Sequence, residues 1–178
     1  MDCTFKTEEG KFNYRVGAII RNGNRILMAR NPGETRGDMW YSVGGRVRFG
    51  ETAEEACLRE LKEETGLKLE LERLAAIHEN FFRDAEGTLY HEISLFFLVK
   101  VDKKIASLES GHPTTDGPDG EVLEWLDLSD CDDKQIFPDF FKTVDFSKES
   151  GIRHFVTESS EPWTFFWKSL GNSSSYFI

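Results

Sequence analysis

The sequence predicts a mixed α/β sandwich. Three observations lead there. Apolar, strand-like runs stand both before and after one strongly helical segment near residues 52–65. Further strand-like runs and a late helical turn follow. The strand-helix-strand alternation does not repeat often enough for a doubly wound sheet.

The elements follow in order. Tyr14 to Arg30 reads as a hairpin, because RVGAII and RILMAR flank Asn22-Gly23-Asn24, and Asn-Gly between apolar runs is a strong hairpin signal. Residues 31–38 carry Pro32, Gly33 and Gly37 and read as a loop. Met39 to Val43 is a short aromatic run ending at Gly44-Gly45. Thr52 opens a helix, since Thr52-x-x-Glu55 has the form of a capping box. Strong helix formers continue to Gly66, the expected left-handed stop. Leu67 to Arg83 and Leu89 to Val101 read as strands joined by 84–87. Residues 102–120 read as a loop, and Glu121 to Leu128 as a strand. Ser129 is the expected cap of a short acidic helix, and Pro138 to Phe146 of another turn or two.

Composition narrows the function. The chain has 178 residues with 39% hydrophobic and 13% aromatic content, too apolar for intrinsic disorder. That length suits one domain with a tail: residues 1–150, then an extension at 151–178 rich in aromatics. Trp163, Phe165, Phe166, Trp167, Tyr176 and Phe177 are expected to pack on the domain or across a homodimer, with 171–175 flexible. No apolar run nears the ~20 residues of a membrane helix, and no signal-peptide pattern opens the chain. Three scattered cysteines form neither a disulfide framework nor a zinc site, so a cytoplasmic setting is expected. The net charge of −10 makes nucleic acid an improbable partner, and a small-molecule nucleotide the expected one.

The chemistry concentrates in Gly44 to Leu67. At about 100° per residue, Glu60, Glu63 and Glu64 share one helix face, beside a packing stripe of Ala53, Cys57, Leu58 and Leu61. Three like charges so close repel each other, unless divalent cations sit among them. Hard cations such as Mg²⁺ prefer oxygen ligands, and phosphate oxygens can complete their shell. A Glu-rich helix face is more often merely solvated, but here a double glycine and a short loop precede it, with Glu51 before and Arg59 on its flank.

The pattern Gly45-x5-Glu51-x7-Arg59-Glu60-Leu61-x-Glu63-Glu64-x-Gly66-Leu67 resembles the signature of the Nudix hydrolases, in the manner of MutT-like bacterial members. All nine specified positions over 23 residues are filled. With its flanks, the resemblance extends over about residues 13–128. It implies a Nudix-type α/β/α sandwich with a mixed central sheet and a catalytic loop-helix-loop. It further implies metal ligation (Mg²⁺ or Mn²⁺) by Glu60, Glu63, Glu64 and the Gly45 carbonyl, and bracing of loop to helix by Arg59 and Glu51. Gly66 would end the helix, while Leu61 and Leu67 pack it. Family members hydrolyse a phosphoanhydride of a nucleoside diphosphate linked to another group, and a carboxylate activates water. Glu60 or Glu63 is a candidate for that base, as are Glu121 and Glu92, ahead of His91 and Glu124. Arg30, Arg36, Arg46 and Arg48 are candidate phosphate clamps. Phe82, Phe81, Trp40 and Tyr41 are candidate base-stacking groups, though aromatics are more often buried.

Two departures stand out. Arg48 occupies a place where many members carry an acid, and Phe82 one where ADP-ribose pyrophosphatases often carry Pro. Two other functions fit the family: RNA 5′ pyrophosphate removal, and nucleotide sensing without catalysis. The acidic charge disfavours the first, and the retained carboxylates disfavour the second.

Overall fold

The structure is a computed structural model describing residues 1–32, 39–115, 120–162 and 174–177. Its strands begin with β1 (Thr4–Lys6), β2 (Lys11–Ile19), β3 (Arg21–Asn22), β4 (Arg25–Arg30), β5 (Met39–Ser42) and β6 (Gly44–Arg46). After helix α1 (Ala53–Thr65) come β7 (Glu70–Arg83), β8 (Leu89–Lys100), the one-turn α2 (Lys103–Ala106) and β9 (His112–Pro113). The chain continues through β10 (Val122–Asp127), β11 (Gln135–Phe137), two 3₁₀ turns at Asp139–Lys142 and Phe146–Lys148, β12 (Arg153–Pro162) and β13 (Ser174–Phe177).

Two mixed sheets result. One runs β1-β2-β8-β7-β12-β13, with β6 on β2. The other runs β11-β5-β4-β10-β9, with β3 on β4. Alternation along the strands divides the core in two. Val16, Ala18, Leu27, Phe97 and Val99 face one side, where α1 packs with Ala56, Cys57 and Leu61. Ile19, Ile26, Met28, Phe96 and Leu98 face the other, covered by Phe140, Phe141 and Phe146 of the 3₁₀ segment. Phe140 stacks on Phe155 of β12 with ring centroids 3.9 Å apart. The layer opposite α1 is therefore aromatic 3₁₀ turns rather than a long helix.

Local signals survive well. Gly23 turns the chain at φ 63°, and Gly66 stops α1 at φ 70°. The capping box is complete: the Glu55 N–H reaches the Thr52 hydroxyl, and the Thr52 N–H reaches the Glu55 carboxylate. Other expectations need correction. The hairpin at Gly23 joins β4 only to the short β3; the main run, β2, instead pairs parallel with β8. Its residues are buried on both faces, which suits an inner strand. Leu58 is 40% exposed, and Ala56 takes its place in the helix stripe. No acidic helix starts at Ser129: Asp127 accepts from the Ser129 N–H and hydroxyl, making a turn that leads to β11. The 102–120 loop contains α2, capped by Asp102, and β9, both too short for periodicity to register. In the tail, β12 adds parallel to β7 and β13 antiparallel to β12, so 174 and 175 lie in a strand. Trp163, Phe165, Phe166 and Trp167 lie outside the described residues.

His78 of β7 is buried at 6% exposure, with Nε2 2.9 Å from the Thr157 hydroxyl. Burial first, and the charge of His154 second, pushes its pKa from 6.5 down to about 4. Between those values the unfolded chain binds a proton that the folded chain refuses. Stability should therefore fall as pH drops from about 6.5 toward 4, by up to about 3 kcal/mol from this group. His78→Gln should flatten that part of the curve, read as melting temperature against pH beside wild type. An equally steep curve for the variant would show that His78 is not the titrating group.

Candidate active site

The site is built around the N-terminal loop and inner edge of α1. Arg59, midway along the helix, reaches back to the loop. Its Nε and Nη2 donate to the two oxygens of Glu51 at 3.1 and 2.7 Å. Nη1 donates to Glu60 at 2.5 Å and to Glu63 at 2.9 Å, and Nη2 also donates to the Arg46 carbonyl at 3.0 Å. One planar guanidinium thus ties three carboxylates and a strand backbone together. These acids hold its pKa above the ordinary arginine value, the Glu51 bond contributing most. Glu51 also accepts from the Arg48 N–H at 2.6 Å, which fixes the loop. Its carboxyl is held below the usual range, first by Arg59.

Glu64 points the other way, into the seam between α1 and β6. Its Oε1 accepts from the Gly44 N–H at 2.9 Å. Burial, followed by the charges of Glu121 and Glu60, pushes its carboxyl up to about 8. Glycine is required in the seam. Gly44 has φ 148°, and a Cβ there would meet the Val16 carbonyl oxygen at 2.3 Å. A Cβ on Gly45 would meet the Glu60 carboxyl carbon at 2.4 Å. At the far end of α1 the Thr115 N–H donates to the Glu64 carbonyl at 3.2 Å, and its hydroxyl donates to the Glu63 carbonyl. Among the described residues no three His, Cys, Asp or Glu side chains converge on one metal-holding point. Glu60 and Glu63 lean on Arg59 instead.

This loop-helix-loop lies inside a match to the NUDIX domain family model covering residues 11–145. The chain belongs to the Nudix family. It is 31% identical to the ADP-ribose pyrophosphatase of Methanocaldococcus jannaschii over 132 residues, 71% of this chain and 72% of that one. It is 38% identical to the RNA pyrophosphohydrolase of Teredinibacter turnerae over 73 residues, 40% of this chain and 42% of that one. The MutT protein structure from Bacillus halodurans superimposes with a TM-score of 0.59 at 17% identity, over 82% of this chain and 90% of that one. The chain is a Nudix hydrolase, and it shares the mixed α/β fold of the MutT structure.

Within this Nudix fold the box residues Gly45, Glu51, Arg59, Glu60, Leu61, Glu63, Glu64, Gly66 and Leu67 come together along one helix and its two loops. Glu121 stands within electrostatic reach of Glu64. Arg48 Nη2 lies 3.6 Å from Glu63, and Arg46 Nη1 3.6 Å from Asp2. Arg30 is engaged elsewhere, donating to Glu124 at 3.0 and 2.6 Å, where the Trp40 indole N–H also donates at 2.9 Å. Tyr41 stacks on Phe137, and Phe82 on Tyr90. His91 is stacked on Phe81 at 4.4 Å, and its Nε2 lies 3.8 Å from Glu79. Glu92 sits on β8, accepting from Asn13 at 3.1 Å with Arg15 Nε at 3.9 Å. Arg36 lies outside the described residues. The sequence reading passed over Asn13 and Arg15. The available signal was polar residues two apart in a run whose neighbours are apolar, which places both on one sheet face.

Two outcomes follow. Arg59→Ala leaves Glu51, Glu60 and Glu63 without their shared cation. It should cost about 2 kcal/mol or more, a melting drop of roughly 4–8 °C, and lower activity as well. A large activity loss with unchanged melting would remove the bracing role. Glu64 acts in the opposite sense. Its raised carboxyl pKa means the metal-free protein loses stability as pH rises from 4.5 toward about 8, because the unfolded group ionises more readily. Glu64→Gln keeps an acceptor for Gly44 and removes the charge. In EDTA, the variant's melting temperature should match or exceed wild type, with the gap widening from pH 5 to pH 9. A variant that melts lower at pH 9 would show that the charged carboxylate is held by a stabilising partner.

Proposed function

We propose that this Nudix hydrolase cleaves a phosphoanhydride bond in a nucleoside diphosphate linked to another group, using Mg²⁺ or Mn²⁺. The observation that carries this reading is the carboxylate group at the α1–β6 seam: Glu64, buried and crowded by Glu60 and Glu121. The fit to a metal is chemical and steric. The donors are all oxygens, which suits a hard cation. The missing Cβ of Gly45 leaves room for the Glu60 carboxyl. The charges of Glu121 and Glu60 act against ionisation of Glu64, and a carboxylate so placed gains when a cation enters. Nudix hydrolases generally use divalent ions, and here Glu60, Glu63, Glu64 and the Gly45 carbonyl would hold them. When bound, such an ion neutralises the pyrophosphate oxygens and stabilises the leaving phosphate.

The chain's own residues supply the rest. Arg59 and Glu51 hold the loop to the helix, so the carboxylates keep one spacing. Arg46 and Arg48, half-exposed on the lip of the site, bind phosphate oxygens. Glu121 takes the proton of the attacking water as its oxygen bonds to phosphorus. The anhydride oxygen leaves with the departing phosphate. Glu124 is a poorer base, since Arg30 and Trp40 hold it. Nearly three quarters of this chain aligns with a protein named an ADP-ribose pyrophosphatase, which supports a nucleotide-linked substrate even though Phe82 replaces the proline common in that group. RNA 5′ ends are the second reading. It rests on the T. turnerae relative, matched over 40% of this chain, and the charge of −10 opposes it. We read residues 1–150 as the catalytic domain of a cytoplasmic protein. Residues 151–178 then form its extension, a reading supported by the pairing of β12 with β7.

The test is a panel of nucleoside diphosphate derivatives assayed for phosphate-bond cleavage. Hydrolysis should require Mg²⁺ or Mn²⁺, vanish in EDTA and return on metal addition. Turnover that persists in metal-free buffer would overturn the mechanism, and cleavage of no nucleotide on the panel would overturn the substrate class.

A further inference from the structure

The inner face of the larger sheet carries a polar row that the carboxylate site does not use. Three of the buried polar side chains, Asn13, His78 and Ser94 at 3, 6 and 4% exposure, lie on it. Register places Asn13 beside Glu92, Glu92 beside Asn80, and Arg15 beside Ser94 beside His78. Two-residue alternation puts all of them on the face that also holds Phe96. Further out on this face, Phe82 and Tyr90 stack at 4.8 Å.

The hydrogen bonding is unevenly filled. Glu92 Oε2 accepts from Asn13 at 3.1 Å, and Asn13 in turn accepts from Thr4 at 3.1 Å. Glu92 Oε1 has only Ser94, at a long 3.5 Å. A carboxylate has room for about four donors, so Oε1 keeps spare acceptor capacity. The Asn80 amide, adjacent in register, makes no hydrogen bond to another described residue. An acceptor oxygen next to an uncommitted amide complements an amino group beside a ring nitrogen. Arg15 joins this row to the chemistry: its Nε is 3.9 Å from Glu92, and its charge also acts on Glu64.

We propose that Glu92 and Asn80 read the nucleobase of the substrate, selecting an amino-bearing base such as adenine over its keto counterpart, hypoxanthine. This rests on the nucleotide substrate class proposed above. The amino N–H donates to Glu92 Oε1, and the neighbouring ring nitrogen accepts from the Asn80 amide. A keto base puts an oxygen against the Glu92 carboxylate, and that contact turns repulsive; the Asn80 amide can rotate to accept the keto base's ring N–H, so the discrimination rests on Glu92.

The test pairs binding with turnover. Calorimetry compares ADP with inosine diphosphate on the full chain, and kinetics compares ADP-ribose with its inosine analogue. Wild type should favour the amino base by at least about tenfold in both. Glu92→Gln can turn its amide to meet a keto oxygen, so the preference should collapse toward parity. Asn80→Ala removes an amide without an internal partner; its melting should stay near wild type while ADP binding weakens by about tenfold. Equal binding of the two diphosphates by wild type overturns the inference, even if a pyrophosphate bond is cleaved. An equal fall in kcat for both substrates in Glu92→Gln, with preference retained, also overturns it, because Glu92 would then act in the chemical step. Tighter ADP binding without hydrolysis supports the base reader and counts against the proposed reaction instead.

Discussion

The interaction on which the site depends is the fan of hydrogen bonds from Arg59. A thirteen-residue helix carrying Glu60, Glu63 and Glu64 within one turn has every electrostatic reason to fray or to turn those charges outward. Arg59 prevents this by holding Glu51 in the loop and two of the three acids on the helix. Lysine could not substitute, since a single ammonium lacks the planar fork that meets a carboxylate with two bonds. The same guanidinium reaches the Arg46 carbonyl, so helix, loop and β6 are set by one side chain.

Glu64 is left out of that fan, and its position explains much of the local chain. It accepts from the Gly44 N–H, which requires β6 to approach α1 closely. Close approach in turn requires glycine at 44, where φ is 148° and a Cβ would collide with the Val16 carbonyl, and a Cβ at 45 would displace the Glu60 carboxyl. The glycine pair and the acidic helix are one device seen from two sides. Its cost is a carboxylate drawn away from water among other acids, and a cation is the species best suited to offset that cost.

How much was legible follows from the range of each signal. The capping box and the Gly66 stop are local signals, and their geometry matches the sequence reading; the box of nine positions is nearly contiguous too, and it falls on the loop and helix expected for it. Features made by distant pairing were not legible. The β2 run has the composition of a hairpin arm, yet tertiary pairing with β8 outweighs the local turn at Gly23. β12 joins β7 across a separation of 77 residues at Arg153 and Ala76, which no window of sequence displays. Arg30 has the composition of a phosphate clamp, but Glu124, on the neighbouring strand, takes its donors first. Leu58 and Ala56 lie at opposite edges of the helix stripe, roughly 200° apart, so a small turn of the stripe is enough to bury Ala56 and leave Leu58 exposed.

Strand β2 shows how binding and chemistry can be joined by one short segment. Gly17 and Val16 pair with Gly44 and Gly45, so β2 sets the height of the seam that receives Glu64. One step along, Arg15 points to the inner face, between Glu92 and the charge of Glu64. Two residues further, Asn13 anchors Glu92. Because β2 lies between β8 on one edge and β1 and β6 on the other, these positions cannot shift independently. The charges of Glu92 and Glu64 are thereby linked through Arg15, which lies 3.9 Å from the first and whose charge acts on the second. That coupling is short-ranged and Coulombic. It weakens as salt rises, and least where the charges are buried.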